Sequence, residues 1–177
     1  MIIRACEAGD LPEITAIYRD AVLTGTASFE IDAPDEAEMG RRRQALLDGG
    51  YPYLVAEIEG RVAGYAYAGL YRARLAYRST VENSVYVAEA FRGRGVAREL
   101  LSRLIHDTEN RGFRQMIAVI GDSANLPSIR LHEGAGFAHV GILRAVGWKH
   151  GRWLDTVLMQ RGLGEGDGTP SVLARSL

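Results

Sequence analysis

One segment constrains this chain more than any other: Val85-Tyr86-Val87-Ala88-Glu89-Ala90-Phe91-Arg92-Gly93-Arg94-Gly95-Val96-Ala97. An apolar run with strand character enters a Gly/Arg turn, and the turn opens an apolar-periodic stretch that reads as a helix. A helix start carries unpaired backbone N–H groups and about half a positive charge. Glycines let the backbone approach a bound anion, because no Cβ stands in the way. Together these features suit a pyrophosphate cradle. Spacing alone leaves a second reading open, a tight strand-to-helix turn with exposed arginines. Gly93 and Gly95 do not complete the dinucleotide fingerprint, and no Lys-Ser/Thr pair follows as a nucleotide P-loop requires.

The flanking sequence supplies a sheet and its helices. A strand is predicted over 2–5, then a helix with Asp10 as N-cap, Pro12 in its first turn and an apolar face of Ile14, Ile17, Tyr18, Ala21 and Val22. A more polar helix over 35–47 follows Pro34 and stops at Gly49-Gly50. Residues 53–58 and 61–70 read as a hairpin turning at Glu59-Gly60. A polar stretch over 71–79 carries three arginines and leads into a strand over 80–88. Beyond the Gly/Arg turn come a helix over 96–110, with Leu100, Leu101, Leu104 and Ile105 inward, and a strand over 115–120. A helix over 125–135 stops at Gly136, and strands over 137–146 and 153–160 close the order. This predicts the α/β class, with a mixed central sheet of about seven strands flanked by about four helices. A length of 177 residues suits one domain, assigned to 1–161, with 162–177 as a flexible tail rich in glycine.

Composition excludes several functions. Basic residues number 21 and acidic ones 22, which removes the bulk electrostatic argument for a nucleic-acid partner. Cys6 stands alone, so no disulfide framework is expected, and it reads as a small buried hydrophobe. His106, His139 and His150 share no metal-ligand spacing with one another or with Cys6, so no metal site is expected. Neither a signal-peptide pattern nor a bilayer-length apolar run is present, so no membrane association and a cytoplasmic location are expected.

Arg92-Gly93-Arg94-Gly95-Val96-Ala97 resembles the Q/R-x-x-G-x-G/A signature of the GNAT superfamily of acetyl-coenzyme A-dependent N-acetyltransferases. Asn125-Leu126-Pro127-Ser128 through Gly136-Phe137 looks like that superfamily's second cofactor-side segment, and the order of elements is that of the GNAT fold. Thr80-Val81-Glu82-Asn83-Ser84-Val85-Tyr86-Val87 resembles the corresponding strand of phosphinothricin and methionine sulfoximine acetyltransferases. Leu54-Val55-Ala56-Glu57, the Gly64 to Gly69 run and the segment Gly147-Trp148-Lys149-His150-Gly151 resemble that subfamily too. The chain departs from it in the first loop, at Asp122-Ser123-Ala124 and in the tail.

The resemblance implies acetyl-CoA as co-substrate. It assigns the pyrophosphate to the backbone amides from Gly93 through Arg94, Gly95, Val96 and Ala97 to Arg98, with Arg92 beside them. The pantetheine arm goes to the edge of the strand formed by Val85, Tyr86 and Val87, and its far end to Asn125 and Ser128. A backbone N–H near Val87 would polarise the thioester carbonyl. Glu82 matches the subfamily's proposed base for the incoming amine. His132 stands where many members carry a tyrosine. It is expected either to protonate the leaving sulfur, to relay protons, or to serve as a structural helix histidine. Arg72 and Arg74 would lie on one side of an extended segment and, with Tyr77, anchor an acidic amino-acid-like acceptor, with Phe29 as a wall. A solvated arginine loop is the bland alternative.

The activity expected is acetylation of a small amino acid or analogue such as phosphinothricin, methionine sulfoximine or methionine sulfone, a detoxification chemistry. Alternatives are acetylation of a protein N-terminus or lysine, or a sensor that binds acetyl-CoA without turnover. Trp148, His150 and Trp153 are expected either at the contact of a homodimer or in simple strand packing.

Overall fold

The computed structural model describes residues 1–171 and 173. Among these residues the elements are β1 (Ile2–Ala5), α1 (Leu11–Thr24), α2 (Glu36–Asp48), β2 (Tyr53–Ile58), β3 (Arg61–Leu70), β4 (Thr80–Val87), α3 (Val96–Asn110), β5 (Gln115–Gly121), α4 (Leu126–Gly134), β6 (Ala138–Lys149) and β7 (Arg152–Gly162). The seven strands form one sheet in the order β1-β2-β3-β4-β5-β7-β6. The predicted α/β mixed sheet with four helices is what the chain forms.

Hydrophobic spacing places the helices. Ile14, Ile17, Tyr18 and Val22 of α1 are buried against Val55, Val62 and Tyr65 on one face of the sheet. Leu100, Leu101, Leu104 and Ile105 of α3 are buried against Ala66, Val81 and Met116 on the other. The β2–β3 hairpin turns with positive φ at both Glu59 (52°) and Gly60 (75°), the geometry that matches strand twist in a two-residue loop. Asp35 caps α2 through the Glu38 amide at 2.8 Å. Asp10 is the N-cap residue of α1, as expected, but its side chain makes no capping bond to that helix. Its carboxylate turns back to the Glu7 amide at 2.8 Å and to the Arg4 guanidinium, a charged partner that outcompetes a helix amide.

Strands β6 and β7 run beyond their expected ends, to Lys149 and Gly162, because they pair as a long hairpin. Leu163 is buried, and its amide donates to the Arg114 carbonyl at 2.9 Å. Arg114 also bonds Thr169 and the Pro170 carbonyl, and the Ser79 and Ser171 hydroxyls meet at 2.6 Å. The first ten residues of the expected tail are therefore anchored to the domain, while 172 and 174–177 lie outside the described residues. No helix among the described residues is long and apolar enough to cross a membrane.

The site follows from one departure from regular pairing. Strands β4 and β5 are parallel, and α3 supplies the crossover such a pair requires. Their pairing covers Thr80 to Asn83 against Gln115 to Ala118 and stops there. Strand β4 continues to Val87 along β3, while β5 continues to Gly121 along β7. The sheet opens as a wedge at its centre.

Candidate active site

The Ala88 amide donates to the Ala63 carbonyl at 2.9 Å, in register with the Tyr65–Tyr86 and Gly64–Val87 pairs. Backbone groups alternate in direction along an antiparallel strand. Tyr86 therefore bonds toward β3, and the N–H and C=O groups of Val85 and Val87 point into the wedge, where β5 no longer accompanies them. Gly93 and Gly95 follow with φ of 75° and 79°, a left-handed conformation that glycine adopts without strain. Gly95 is the N-cap of α3, and no side chain caps that helix start. Among the described residues, the first amides of α3 thus remain without a side-chain partner and could meet an anion.

The wedge deepens into a cavity of about 830 Å³. Val85, Tyr86, Val87, Arg92, Gly93, Gly95, Val96, Ala97 and Arg98 line it from β4 and α3. Asn125, Ser128 and His132 line it from α4. Asn125 caps α4 by accepting from the Ser128 amide at 3.3 Å. Arg94 is the one predicted cofactor residue that does not line the cavity; its guanidinium lies over the Phe91 ring, 5.4 Å from the centroid. Arg92 reaches Asp20 at 3.5 Å and Arg98 reaches Glu99 at 3.6 Å, both exposed contacts of little energetic consequence.

His132 is buried, and both ring nitrogens are engaged. Nδ1 meets the Ser128 carbonyl at 2.8 Å, and Nε2 meets the Asn83 amide nitrogen at 2.9 Å. A carbonyl only accepts, so Nδ1 carries the proton. Burial lowers the ring's pKa, opposed by the Ser128 bond, so the imidazole is neutral at pH 7 and Nε2 accepts from Asn83. In this state Nε2 has no proton to give. Asn83 is 6% exposed, stands at the apex of the wedge, and its Oδ1 has no hydrogen-bond partner among the described residues. Sequence reasoning missed it. The available signal was an amide at an inward position of β4, flanked at two-residue steps by Val81 and Val85.

The opposite face of β4 carries Glu82, Ser84 and Tyr86, turned toward α1 and α2. Glu82 does not line the cavity but stands one residue from its apex. Its carboxylate has no hydrogen-bond or ion-pair partner among the described residues, and burial raises its pKa above the ordinary glutamate value. Above it Tyr53, Tyr65, Tyr67 and Tyr86 stack, with Tyr18 edge-on to Tyr86 at 5.1 Å. Burial pushes the Tyr18 phenol up to about 12; it binds the Ser28 hydroxyl at 3.0 Å and donates to Glu30 at 2.8 Å.

Residues 25–30 cross the ends of β5 and β6 and bring Phe29 against two glycines. A Cβ at Gly147 would collide with the Phe29 ring, and one at Gly121 with the Thr26 carbonyl. Thr26 and Ala27 line the cavity; Phe29, Arg72, Arg74 and Tyr77 do not. The 71–79 segment is not extended. It is a series of bends with a short 3-10 turn at Leu75–Tyr77, so two-residue alternation does not govern Arg72 and Arg74. Arg72 lies over the Tyr71 ring, and Tyr71 meets Tyr77 edge-on at 5.7 Å. No group of three or more His, Cys, Asp or Glu side chains among the described residues is gathered for a metal ion.

Residues 3–158 match the family model described as acetyltransferase (GNAT) domain. The chain is 54% identical over 167 residues to phosphinothricin N-acetyltransferase of Alcaligenes faecalis, covering 94% of this chain and 85% of that enzyme. It is 43% identical over 168 residues to the L-methionine sulfoximine/L-methionine sulfone acetyltransferase of Salmonella typhimurium, covering 93% of this chain and 96% of that one. The crystal structure of a GNAT superfamily phosphinothricin acetyltransferase from Sinorhizobium meliloti, in complex with AcCoA, superposes with a TM-score of 0.94 at 49% identity, over 97% of this chain and 92% of that one. A wedge of free strand amides opening on an uncapped glycine-led helix, and a match over nearly the whole chain, lead to one conclusion: the protein belongs to the GNAT acetyltransferase family.

Proposed function

We propose that the protein transfers an acetyl group from acetyl-CoA to the amine of a small amino acid or analogue, with phosphinothricin, methionine sulfoximine and methionine sulfone as the class of acceptor. The observation that carries this is the wedge: main-chain donors at Val85 and Val87 lead directly to the open amides of α3. These groups fit a pantetheine diphosphate, since strand-edge amides can pair with the arm's own amides and a helix start accepts the diphosphate charge. Acetyl-CoA supplies the activated thioester. The chain's part is to hold it in line with the amine and to place a backbone N–H near Val87 at its carbonyl oxygen.

Glu82 acts on the incoming amine. An α-ammonium has a pKa of about 8, so at neutral pH most of it cannot attack. A carboxylate with a raised pKa, without a hydrogen-bond or ion-pair partner among the described residues and beside the apex, accepts that proton directly or through water. His132, neutral and bonded at both nitrogens, is best read as the support of Asn83 rather than as an acid. Arg72, Arg74 and Tyr77 bind the acceptor's carboxylate and, in phosphinothricin, its phosphinate, with Phe29 as a wall.

The β6–β7 hairpin is read as the contact of a homodimer. Val140, Val146, Trp148 and Trp153 are each more than half exposed, and the two indoles pair across the strands at 5.2 Å. Sedimentation should show a dimer; a monomer at every concentration would remove that contact. Chemistry on free amino acids suits a cytoplasmic enzyme of detoxification. The function is tested by thiol release from acetyl-CoA against a panel of amines. Free coenzyme A appearing with methionine sulfoximine or phosphinothricin supports the reading. Release with peptides alone, or binding with no release, replaces it with a protein acetyltransferase or a sensor.

A further inference from the structure

Lys149 is the only lysine in the chain; every other strong base is arginine. It ends β6, is 4% exposed, and its ammonium donates to the Ser28 carbonyl at 2.7 Å across 121 residues of sequence. That is its one hydrogen bond among the described residues, and Glu30 is the carboxylate that acts on it. Burying a charge with so little compensation is a poor way to gain stability. An arginine fork with five donors in a plane would need more acceptors than this slot offers, whereas an ammonium is a compact point charge suited to one carbonyl.

The Ser28 carbonyl belongs to the peptide plane that carries Phe29. From the helix side this loop is already tied. Tyr18 holds the Ser28 hydroxyl and Glu30, and Arg42 reaches Glu30 at 2.6 Å. From the hairpin side, His150 meets the Gly25 carbonyl at 3.2 Å, and among the described residues Lys149 alone bonds the Ser28–Phe29 peptide. We propose that Lys149 is a positioning residue for acceptor binding: its ammonium fixes the Ser28–Phe29 peptide plane and so holds the Phe29 ring over Gly121 and Gly147. This rests on the reading of Phe29 as a wall of the acceptor pocket.

Steady-state kinetics with methionine sulfoximine test it through Lys149→Met, which keeps the stem and removes the donors. The acceptor KM should rise about tenfold while the acetyl-CoA KM stays within about twofold. Phe29→Ala should raise the acceptor KM as well, and the double variant should fall short of the product of the two effects, because one residue acts through the other. An unchanged acceptor KM in folded Lys149→Met, or fully additive effects, would overturn the proposal. Phe29→Ala without effect would instead discard the wall itself. The wild-type protein gives a measurement independent of any variant's folding. Reductive methylation of its single ε-amine, followed by peptide mass, should run at least about tenfold slower than in a free lysine peptide and slow further with acceptor bound. A rate equal to the free peptide's would show that the grip does not exist.

Discussion

Along the edge of β4 that faces β5, the groups able to hold a ligand are main-chain: the amides of Val85 and Val87 and the first turn of α3. Along the face that looks toward α1 and α2 they are side chains, Glu82, Ser84 and Tyr86, joined by Tyr67 and Tyr18. The first region is built from about a dozen consecutive residues and, on the proposed function, would read the common features of one cofactor. The second is assembled from three parts of the chain, β4, β3 and α1, and on the proposed function it would face the amine. Substitutions in the two regions should therefore separate cleanly in kinetics, the first moving the acetyl-CoA KM and the second the acceptor terms.

The largest expected effect is on the side-chain face. Glu82→Gln should lower kcat on the order of 100-fold or more near pH 7. The loss should shrink as pH rises toward the amine's own pKa, and acetyl-CoA affinity should be unchanged by calorimetry. The same carboxylate gives a stability test. Burial raises its folded pKa, so the ionised form costs stability above the unfolded pKa and costs none once both states are protonated. Glu82→Gln should thus melt above the wild type at neutral pH, and the difference should close on acidification. A variant that is both active and no more stable would mean that this glutamate is an ordinary surface residue.

Next in size, Arg74→Ala should raise the acceptor KM on the order of 10-fold or more, the value of a charged hydrogen bond to a carboxylate. An equal rise in the acetyl-CoA KM would move this arginine to the cofactor. On the main-chain edge, Gly95→Ala places a Cβ at a φ of 79°. The strain is about 1 kcal/mol, so a severalfold rise in the acetyl-CoA KM is expected with the acceptor KM unaltered. The smallest change is expected from His132→Ala. If the ring supports Asn83, kcat falls modestly and the pH–rate profile keeps its shape; a lost limb in that profile would restore it as an acid or relay.

Much of this was legible before any coordinates. Leu100, Leu101, Leu104 and Ile105 announced the buried face of α3, and the order of seven strands and four helices followed from periodicity and turns. Gly93 and Gly95 marked the helix start. The Asp10 side chain misled, because a cap and a salt bridge draw on the same residue and sequence does not say which partner arrives. Arg72 and Arg74 misled in geometry, since alternation holds only where a strand exists.

By itself, then, the sequence determined the elements and the glycine-led start of α3, because each rests on neighbours in the chain and on local backbone preference, and its motifs carried the family resemblance. The tertiary structure decided where β4 and β5 part, which nitrogen of His132 carries its proton, that among the described residues Asn83 keeps an unpaired oxygen at the apex, and that Lys149 reaches Ser28. Apart from the Ser128–His132 bond within α4, those facts join residues tens of positions apart, and packing brings such groups within bonding distance.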